Sequence, residues 1–152
     1  MTSPNDATLL LDAMCGGIRT ILRMAGYDAA YTLERNVETD EAIEALARAE
    51  DRVLITRDEE LARSTPDAIL LRAKETDAQL EELAVEGFEL SLSDPVRCSR
   101  CNSPVEELDG GESTPPSAPD PADQRCWRCR ECGQVYWKGS HWKDVADRLE
   151  RL

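Results

Sequence analysis

The chain has 152 residues, which suits one compact domain, or one domain with a small metal-stabilised appendage. A hydrophobic fraction of 41% supports a real core, and the single phenylalanine indicates that this core is aliphatic. No apolar run approaches the roughly 20 residues that a membrane-spanning helix needs, so no membrane partner is expected. Residues 1–6 lack the basic and apolar regions of a signal peptide, and we therefore expect a cytoplasmic protein.

The net charge is −13, from 31 acidic and 18 basic residues, of which only three are lysine. This average argues against binding to nucleic acid, and it is typical of halophilic proteins, whose acidic surfaces are screened by salt. The charge is uneven, however. Residues 1–96 carry a net charge of −12, whereas residues 97–101 and 125–143 carry seven basic side chains against one acid. This basic island favours a polyanionic partner, unless its cations only offset a negative zinc–thiolate centre.

Short apolar runs alternate with segments of helical periodicity along residues 1–96. Predicted strands cover residues 8–12, 29–33, 53–58 and 68–71, and predicted helices cover residues 14–25, 40–50, 59–64 and 76–86. Thr39 precedes the second helix in a capping position. The alternation predicts an α/β domain with a parallel, mostly buried sheet and right-handed crossovers.

The last third of the chain carries cysteines in metal-binding spacing. Cys98 and Cys101 form one Cys-x-x-Cys pair, and Cys126, Cys129 and Cys132 form two overlapping pairs further on. Two such pairs suit one tetrahedral zinc ion. The pattern predicts a zinc ribbon over residues 97–143, with a flexible polar insert at 106–124. A final helix is predicted over residues 141–151, and residues 144–152 form the C-terminal segment.

Zinc takes four of these five cysteines, and two turn-forming residues indicate which four. Gly133 permits a tight turn after the last cysteine, and Asn102 tolerates the equivalent left-handed conformation after the first pair. The predicted zinc ligands are Cys98, Cys101, Cys129 and Cys132. Cys126 is then a small apolar residue beside Trp127, and a pair of Cys126 with Cys129 is the alternative.

Two further interpretations concern individual cysteines. Cys126 and Cys129 have the spacing of a thiol-redox pair, although the Cys132-Gly133 that follows suits zinc better. Cys15, outside the ribbon, is expected to pack as a buried residue in the first helix.

Three carboxylates are candidates for a second metal site. Asp12 and Asp58 each end an apolar strand, and in an open parallel sheet ligands bind beyond the carboxyl ends of the strands. Asp40, at the start of the second helix, approaches the same edge. Three acids gathered there repel one another unless they bind a divalent cation, and their oxygen ligands suit magnesium or manganese. The alternative is that each acid is only a loop or capping residue.

These residues carry a family resemblance. The segments are Leu11-Asp12-Ala13-Met14, Leu22-Arg23-Met24-Ala25-Gly26-Tyr27-Asp28, Leu54-Ile55-Thr56-Arg57-Asp58, the cysteine pairs, and Val135-Tyr136-Trp137-Lys138-Gly139-Ser140-His141-Trp142. Together they resemble the Mut-seven C-terminal RNase domain family, a branch of the PIN-like nucleases. The resemblance runs from about residue 8 to residue 145, without the insert. The aromatic string is its most specific part.

The resemblance implies a PIN-like Rossmannoid fold with a zinc ribbon, and metal-dependent cleavage of RNA by Asp12, Asp40 and Asp58. We predict that this cleavage is endonucleolytic. Many PIN-like sites have a fourth acid, for which Asp28, Glu59 and Glu60 are the candidates. The chain departs from the family pattern at Gly17 and Thr20, where basic residues are usual, and Arg19 is displaced by one position. A non-catalytic ribbon adaptor that binds RNA or protein is therefore the alternative function.

The predicted RNA-binding residues are Arg57, Arg100, Lys138, His141 and Lys143. Tyr136, Trp137 and Trp142 lie among them in sequence and either stack RNA bases or form the core of the ribbon.

Three of these roles have structural alternatives. His141 either contacts RNA or makes a structural hydrogen bond near Trp142. Arg57 binds a phosphate near the metals or pairs with surplus acids, and Arg23 is expected to form a structural salt bridge.

Overall fold

A computed structural model describes all 152 residues and divides them between two sheets. The larger sheet has four parallel strands, β1 (Thr8–Leu11), β2 (Ala29–Tyr31), β3 (Arg52–Thr56) and β4 (Ile69–Leu70), in the order β2-β1-β3-β4. Because β1 and β3 are neighbours, the residues that follow them meet at one sheet edge. The predicted α/β class with a parallel sheet is confirmed.

The first predicted helix is not a single α-helix. Residues Ala13–Ile18 form a 3₁₀ helix, and α1 begins only at Arg19 and ends at Met24. The prediction of one helix over 14–25 is therefore wrong in its first turns. Gly16 and Gly17 in this segment disfavour a regular α-helix, and the Tyr31 hydroxyl donates to the Ala13 carbonyl at 3.1 Å.

Four further helices agree with the predicted positions to within one or two residues. They are α2 (Asp40–Ala49), α3 (Glu59–Ser64), α4 (Thr76–Val85) and α5 (Ser140–Glu150). The Thr39 hydroxyl accepts a hydrogen bond from the Ala42 N–H, which confirms the predicted cap of α2. None of the helices is long and apolar enough to cross a bilayer.

The parallel sheet has a core on each face, because side chains alternate along a strand. Leu9 and Leu11 of β1 join the larger cluster with α1 and α4, whereas Leu10 joins a smaller cluster with α2 and α3. Val145 and Leu149 of α5 also belong to the larger cluster. The C-terminal helix therefore packs against the α/β domain.

The second sheet is antiparallel and carries the cysteines. Its strands are β5 (Val105–Glu107), β6 (Trp127–Cys129) and β7 (Val135–Tyr136), in the order β5-β6-β7. The predicted insert at 106–124 therefore begins too early, because Glu106 and Glu107 belong to β5 and pair with β6. Salt bridges from Glu106 to Arg130 and from Glu107 to Arg125 accompany this pairing.

Candidate nuclease and metal sites

Four thiols come together in the ribbon. The sulfur atoms of Cys98, Cys101, Cys129 and Cys132 all lie within 4.8 Å of one another. Cys98 Sγ is 3.7 Å from Cys132 Sγ, and Cys101 Sγ is 3.4 Å from Cys129 Sγ. These are the four predicted ligands, and a tetrahedral arrangement of four sulfurs is what structural zinc sites use. The cluster is able to hold a metal ion such as zinc.

Two left-handed turns hold the thiols in place. Asn102 has φ 72° and Gly133 has φ 79°, each directly after the second cysteine of a pair. The Asn102 N–H donates to the Cys98 carbonyl at 2.8 Å, and the Gly133 N–H donates to the Cys129 carbonyl at 3.1 Å. Asn and Gly are the residues that adopt this conformation at least cost. The left-handed turns predicted at Asn102 and Gly133 are therefore confirmed.

Cys126 lies outside the thiol cluster. Its Sγ is directed to backbone carbonyls, at 3.4 Å from Gln124 and 3.7 Å from Pro119, and the residue is fully buried. The alternative zinc or redox pair with Cys129 is not formed. Cys15 is also fully buried, and burial raises the pKa of its thiol to about 12. A thiol of that pKa is inert at neutral pH.

Asp12 and Asp58 lie at the same edge of the parallel sheet, joined by one hydroxyl. The Thr56 Oγ1 donates to Asp12 Oδ2 at 2.7 Å and accepts from the Asp58 N–H at 3.0 Å. Thr56 is fully buried at the end of β3, so this link is shielded from water. Asp58 in turn caps α3, because its Oδ1 accepts from the N–H groups of Glu60 and Leu61. Both carboxylates are held by the fold.

Asp40 approaches the same edge from the first turn of α2. Partial desolvation and the negative charges of Asp58, Glu41, Asp12 and Glu60 raise the pKa of Asp40 above its ordinary value, although its side chain is exposed. The three predicted acids nevertheless do not form a group as close as the four thiols. Ligands of one magnesium ion lie about 2.0–2.1 Å from it. Direct ligation of one ion by all three acids therefore requires a side-chain rotation or a bridging water.

The acidic edge has no internal counter-ion. None of Asp12, Asp40 and Asp58 takes part in any of the fourteen salt bridges of the chain. Arg57, next in sequence to Asp58, has no ion-pair partner either. Its Nε is buried without a hydrogen bond, and its Nη1 lies 3.8 Å from Met14 Sδ.

The candidates for a fourth acid separate in space. Asp28 precedes β2 at the opposite edge of the sheet, where Arg52 and Asn102 donate hydrogen bonds to it. Burial raises its pKa, but these bonds and the charges of Arg52 and Arg97 lower it more, to a value below the ordinary one. Glu59 is paired with Arg63 and Arg72, whereas Glu60 has no such partner and acts on the pKa of Asp40. Among the three, the position of Glu60 favours it most.

Comparison with known sequences identifies the family of the chain. The profile of the Mut7-C RNAse domain family matches residues 7–149, which is almost the whole chain. The chain belongs to the Mut7-C RNase domain family. No curated protein and no solved structure shows significant similarity to it.

The departure of this Mut7-C domain at Gly17 has a structural counterpart. A Cβ at Gly17 would lie 2.8 Å from Thr76 Oγ1, so the space of a larger side chain is partly taken by the start of α4. Arg19, the displaced cation, donates to the Gly16 carbonyl at 2.7 Å and lies 3.5 Å from Glu34. Its guanidinium also stacks on Tyr31, 4.9 Å from the ring centre.

The predicted RNA-binding residues of the Mut7-C domain differ in whether another side chain of the protein already binds them. Lys138 is bound to Asp94 at 2.6 Å, so it is not a free cation. Arg100 is exposed and donates only to Gln134, and Lys143 is exposed without an ion pair. His141 is exposed and makes no side-chain hydrogen bond, so the structural hydrogen bond considered for it is absent.

The structure gives two residues roles that the sequence did not predict. Thr56 was part of a recognised motif, but its sequence position gave no reason to expect a link between two acids. Arg23 forms the expected salt bridge, with Glu34 at 2.7 Å, and it also donates to the carbonyls of Ala29 and Ser99. Its buried guanidinium thereby joins the parallel sheet to the ribbon.

Proposed function

We propose that this Mut7-C domain is a metal-dependent ribonuclease that hydrolyses RNA phosphodiesters endonucleolytically at Asp12, Asp40 and Asp58. The observation that carries the proposal is the joint position of Asp12 and Asp58 beyond two adjacent parallel strands, linked through Thr56 and without a counter-cation. Membership of an RNase domain family supplies the reaction class.

The carboxylates have unequal tasks in this scheme. Asp12 is the fixed member, since each of its oxygens accepts a hydrogen bond, from Ala13 N–H and from Thr56 Oγ1. Asp58 is fixed through Oδ1 and keeps Oδ2 without a partner. Asp40 is exposed and is able to rotate toward the other two. A magnesium or manganese ion bound there would polarise the phosphate and acidify a water molecule.

The ribbon has a structural task and a docking task. Cys98, Cys101, Cys129 and Cys132 would hold zinc, which stabilises a sheet too small to have a substantial core. Arg100, His141 and Lys143 leave exposed polar groups on its surface for RNA, and the reduced thiols fit a cytoplasmic location.

The direct test is RNA cleavage by Asp58→Asn. The purified protein, assayed in molar potassium chloride with manganese, should cut an RNA that contains both paired and single-stranded segments, and Asp58→Asn should abolish the cleavage. Asparagine is also a good helix cap, so the fold of α3 is preserved. Asp51→Asn is the matched control, because Asp51 precedes β3 at the opposite edge and has φ 52°, which asparagine tolerates. Equal cleavage by both variants would reject the proposal.

A specific observation also favours the adaptor function. The lack of a basic residue at Gly17, and the occupation of that space by Thr76, remove a phosphate contact that the family pattern implies. Calorimetric titration with manganese separates the two functions. A nuclease should show a manganese site that is lost in Asp12→Asn, whereas an adaptor should show none.

A further inference from the structure

An aromatic cavity lies between the ribbon and the end of α1. It has a volume of about 260 Å³ and is lined by Met24, Arg97, Tyr136, Trp137, His141 and Trp142, among others. That volume is at the small end for ligand sites, so it suits a flat ring system better than a folded element. Aromatic faces beside an arginine and a histidine are the chemistry on which a nucleobase stacks.

Only some of the ribbon aromatics have a structural task. Trp127 is buried in the ribbon, and Trp142 packs against the larger core of the first domain. The Trp137 indole instead lies across the first turn of α5, where a Cβ at Gly139 would come within 2.7 Å of its Nε1. Its N–H makes no hydrogen bond within the protein and Trp137 remains partly exposed. Trp137 is thus available to a ligand.

A cationic cleft adjoins the cavity. It has a volume of about 300 Å³, shares Ser99, Gln134 and Tyr136 with the cavity, and adds Arg19 and Arg100. Arg100 has no acidic partner, although the protein as a whole has a surplus of acids.

The far end of the cleft reaches the segment that follows Asp12. Arg19 opens α1 and donates to the Gly16 carbonyl, and Gly16 belongs to the 3₁₀ helix that begins directly after Asp12. The aromatic cavity and the two arginines therefore adjoin one another, and Arg19 connects them to the 3₁₀ helix that follows Asp12.

We propose that this surface is a track for single-stranded RNA, with one base in the cavity beside Trp137 and the adjoining phosphates in the Arg19–Arg100 cleft. The proposal rests on the proposed ribonuclease function and adds to it the place where one unpaired base and its adjoining phosphates would bind. An anionic backbone suits the cleft, whose unpaired cation contrasts with the acidic remainder of the surface. The track also replaces the missing basic residue at Gly17 with arginines on α1 and the ribbon.

The test measures binding without cleavage. A short fluorescein-labelled oligouridylate is titrated by fluorescence anisotropy into the Asp58→Asn protein, in a potassium chloride series without divalent ions. Trp137→Ala should weaken binding about five- to 150-fold, the range for loss of one stacked base, and Trp137→Phe should retain most of the affinity. Arg100→Gln should reduce the slope of log affinity against log salt by about 0.7.

The matched control is Arg151→Gln, which removes the same charge from an exposed position at the far end of α5 and should leave the slope unchanged. Zinc content by native mass spectrometry verifies that each ribbon is folded. If the wild type cleaves RNA but Trp137→Ala and Arg100→Gln bind RNA like the parent, the track is overturned and the nuclease stands. If no RNA is cleaved but binding depends on both residues, the track stands and the nuclease fails. Absence of any RNA binding would overturn the track.

Discussion

The thiol cluster and the acidic sheet edge are two candidate metal sites built in different ways. The thiols come from two short turns, and their sulfur atoms already lie within 4.8 Å of one another. The acids come from the ends of two strands and the start of a helix, and they lie further apart. A closed site of this kind stabilises a structure, whereas an open site with unpaired charges leaves room for a substrate. The comparison teaches how a candidate structural site differs in construction from the proposed reactive site of the same chain.

The largest effect on the fold should come from removing one cysteine of the thiol cluster. Cys129→Ser should release the zinc and unfold the ribbon, because structural zinc sites of this kind are worth roughly 10–16 kcal/mol. Native mass spectrometry counts the zinc, and limited proteolysis reports the state of residues 97–143. Cys126→Ser is the matched control and should keep the zinc, since Cys126 lies outside the cluster. Loss of zinc from the control alone would favour a Cys126 ligand.

The second-largest effect is expected at Arg23, which joins the parallel sheet to the ribbon. Arg23→Met should lower the free energy of unfolding by about 3 kcal/mol, because the carbonyls of Ala29 and Ser99 lose a buried donor. Urea denaturation measures this. Arg35→Met removes an arginine from an exposed pair with Glu50 and should cost at most about 1 kcal/mol. Equal losses in the two variants would show that Arg23 does not join the regions.

RNA cleavage at the acidic sheet edge should depend on the Thr56 hydroxyl, which links Asp12 and Asp58. Thr56→Val keeps the shape of the side chain but removes the bridge between Asp12 and Asp58, and it should reduce RNA cleavage about 10–100-fold. Thr56→Ser keeps the hydroxyl and should retain most of the activity. Cleavage rates measured at saturating RNA distinguish this from weaker binding. Full activity in Thr56→Val would mean that the strands alone position the acids.

The smallest effect concerns repulsion at the acidic edge. The pKa of Asp40 is raised in the folded protein above its ordinary value of 3.8, so its charged form destabilises the fold. Asp40→Asn should therefore raise the melting temperature at neutral pH. The difference from the wild type should fade as the pH drops through the raised pKa and vanish below 3.8, where Asp40 is neutral in both states. Thermal unfolding across this pH range checks the sign.

The same thermal unfolding experiment, repeated with manganese, tests whether Asp40 contributes to a metal site. A cation bound at the edge would relieve the repulsion, so manganese should raise the melting temperature of the wild type more than that of Asp40→Asn. An identical response of both proteins would indicate that Asp40 contributes nothing to a metal site.

The amount predictable from the sequence differs between the two regions. In the ribbon, cysteine spacing with Asn102 and Gly133 was enough to choose the four ligands, because a turn of a few residues dictates its own geometry. At the acidic edge, apolar periodicity located the strands that end at Asp12 and Asp58. It did not show the 3₁₀ turn after Asp12, because the apolar spacing of residues 14–25 fits helical turns of either kind.

The sequence by itself determined the parallel α/β class, the thiol ligands and the membership of an RNase domain family, since these follow from local pattern. Tertiary structure alone decided how the parts meet. Arg23 joins sheet and ribbon, Thr56 links two acids, and residues of α1 and β7 enclose a continuous cleft. The physical reason is that such contacts join positions far apart along the chain, and no spacing rule records which distant groups come into reach when the core is packed.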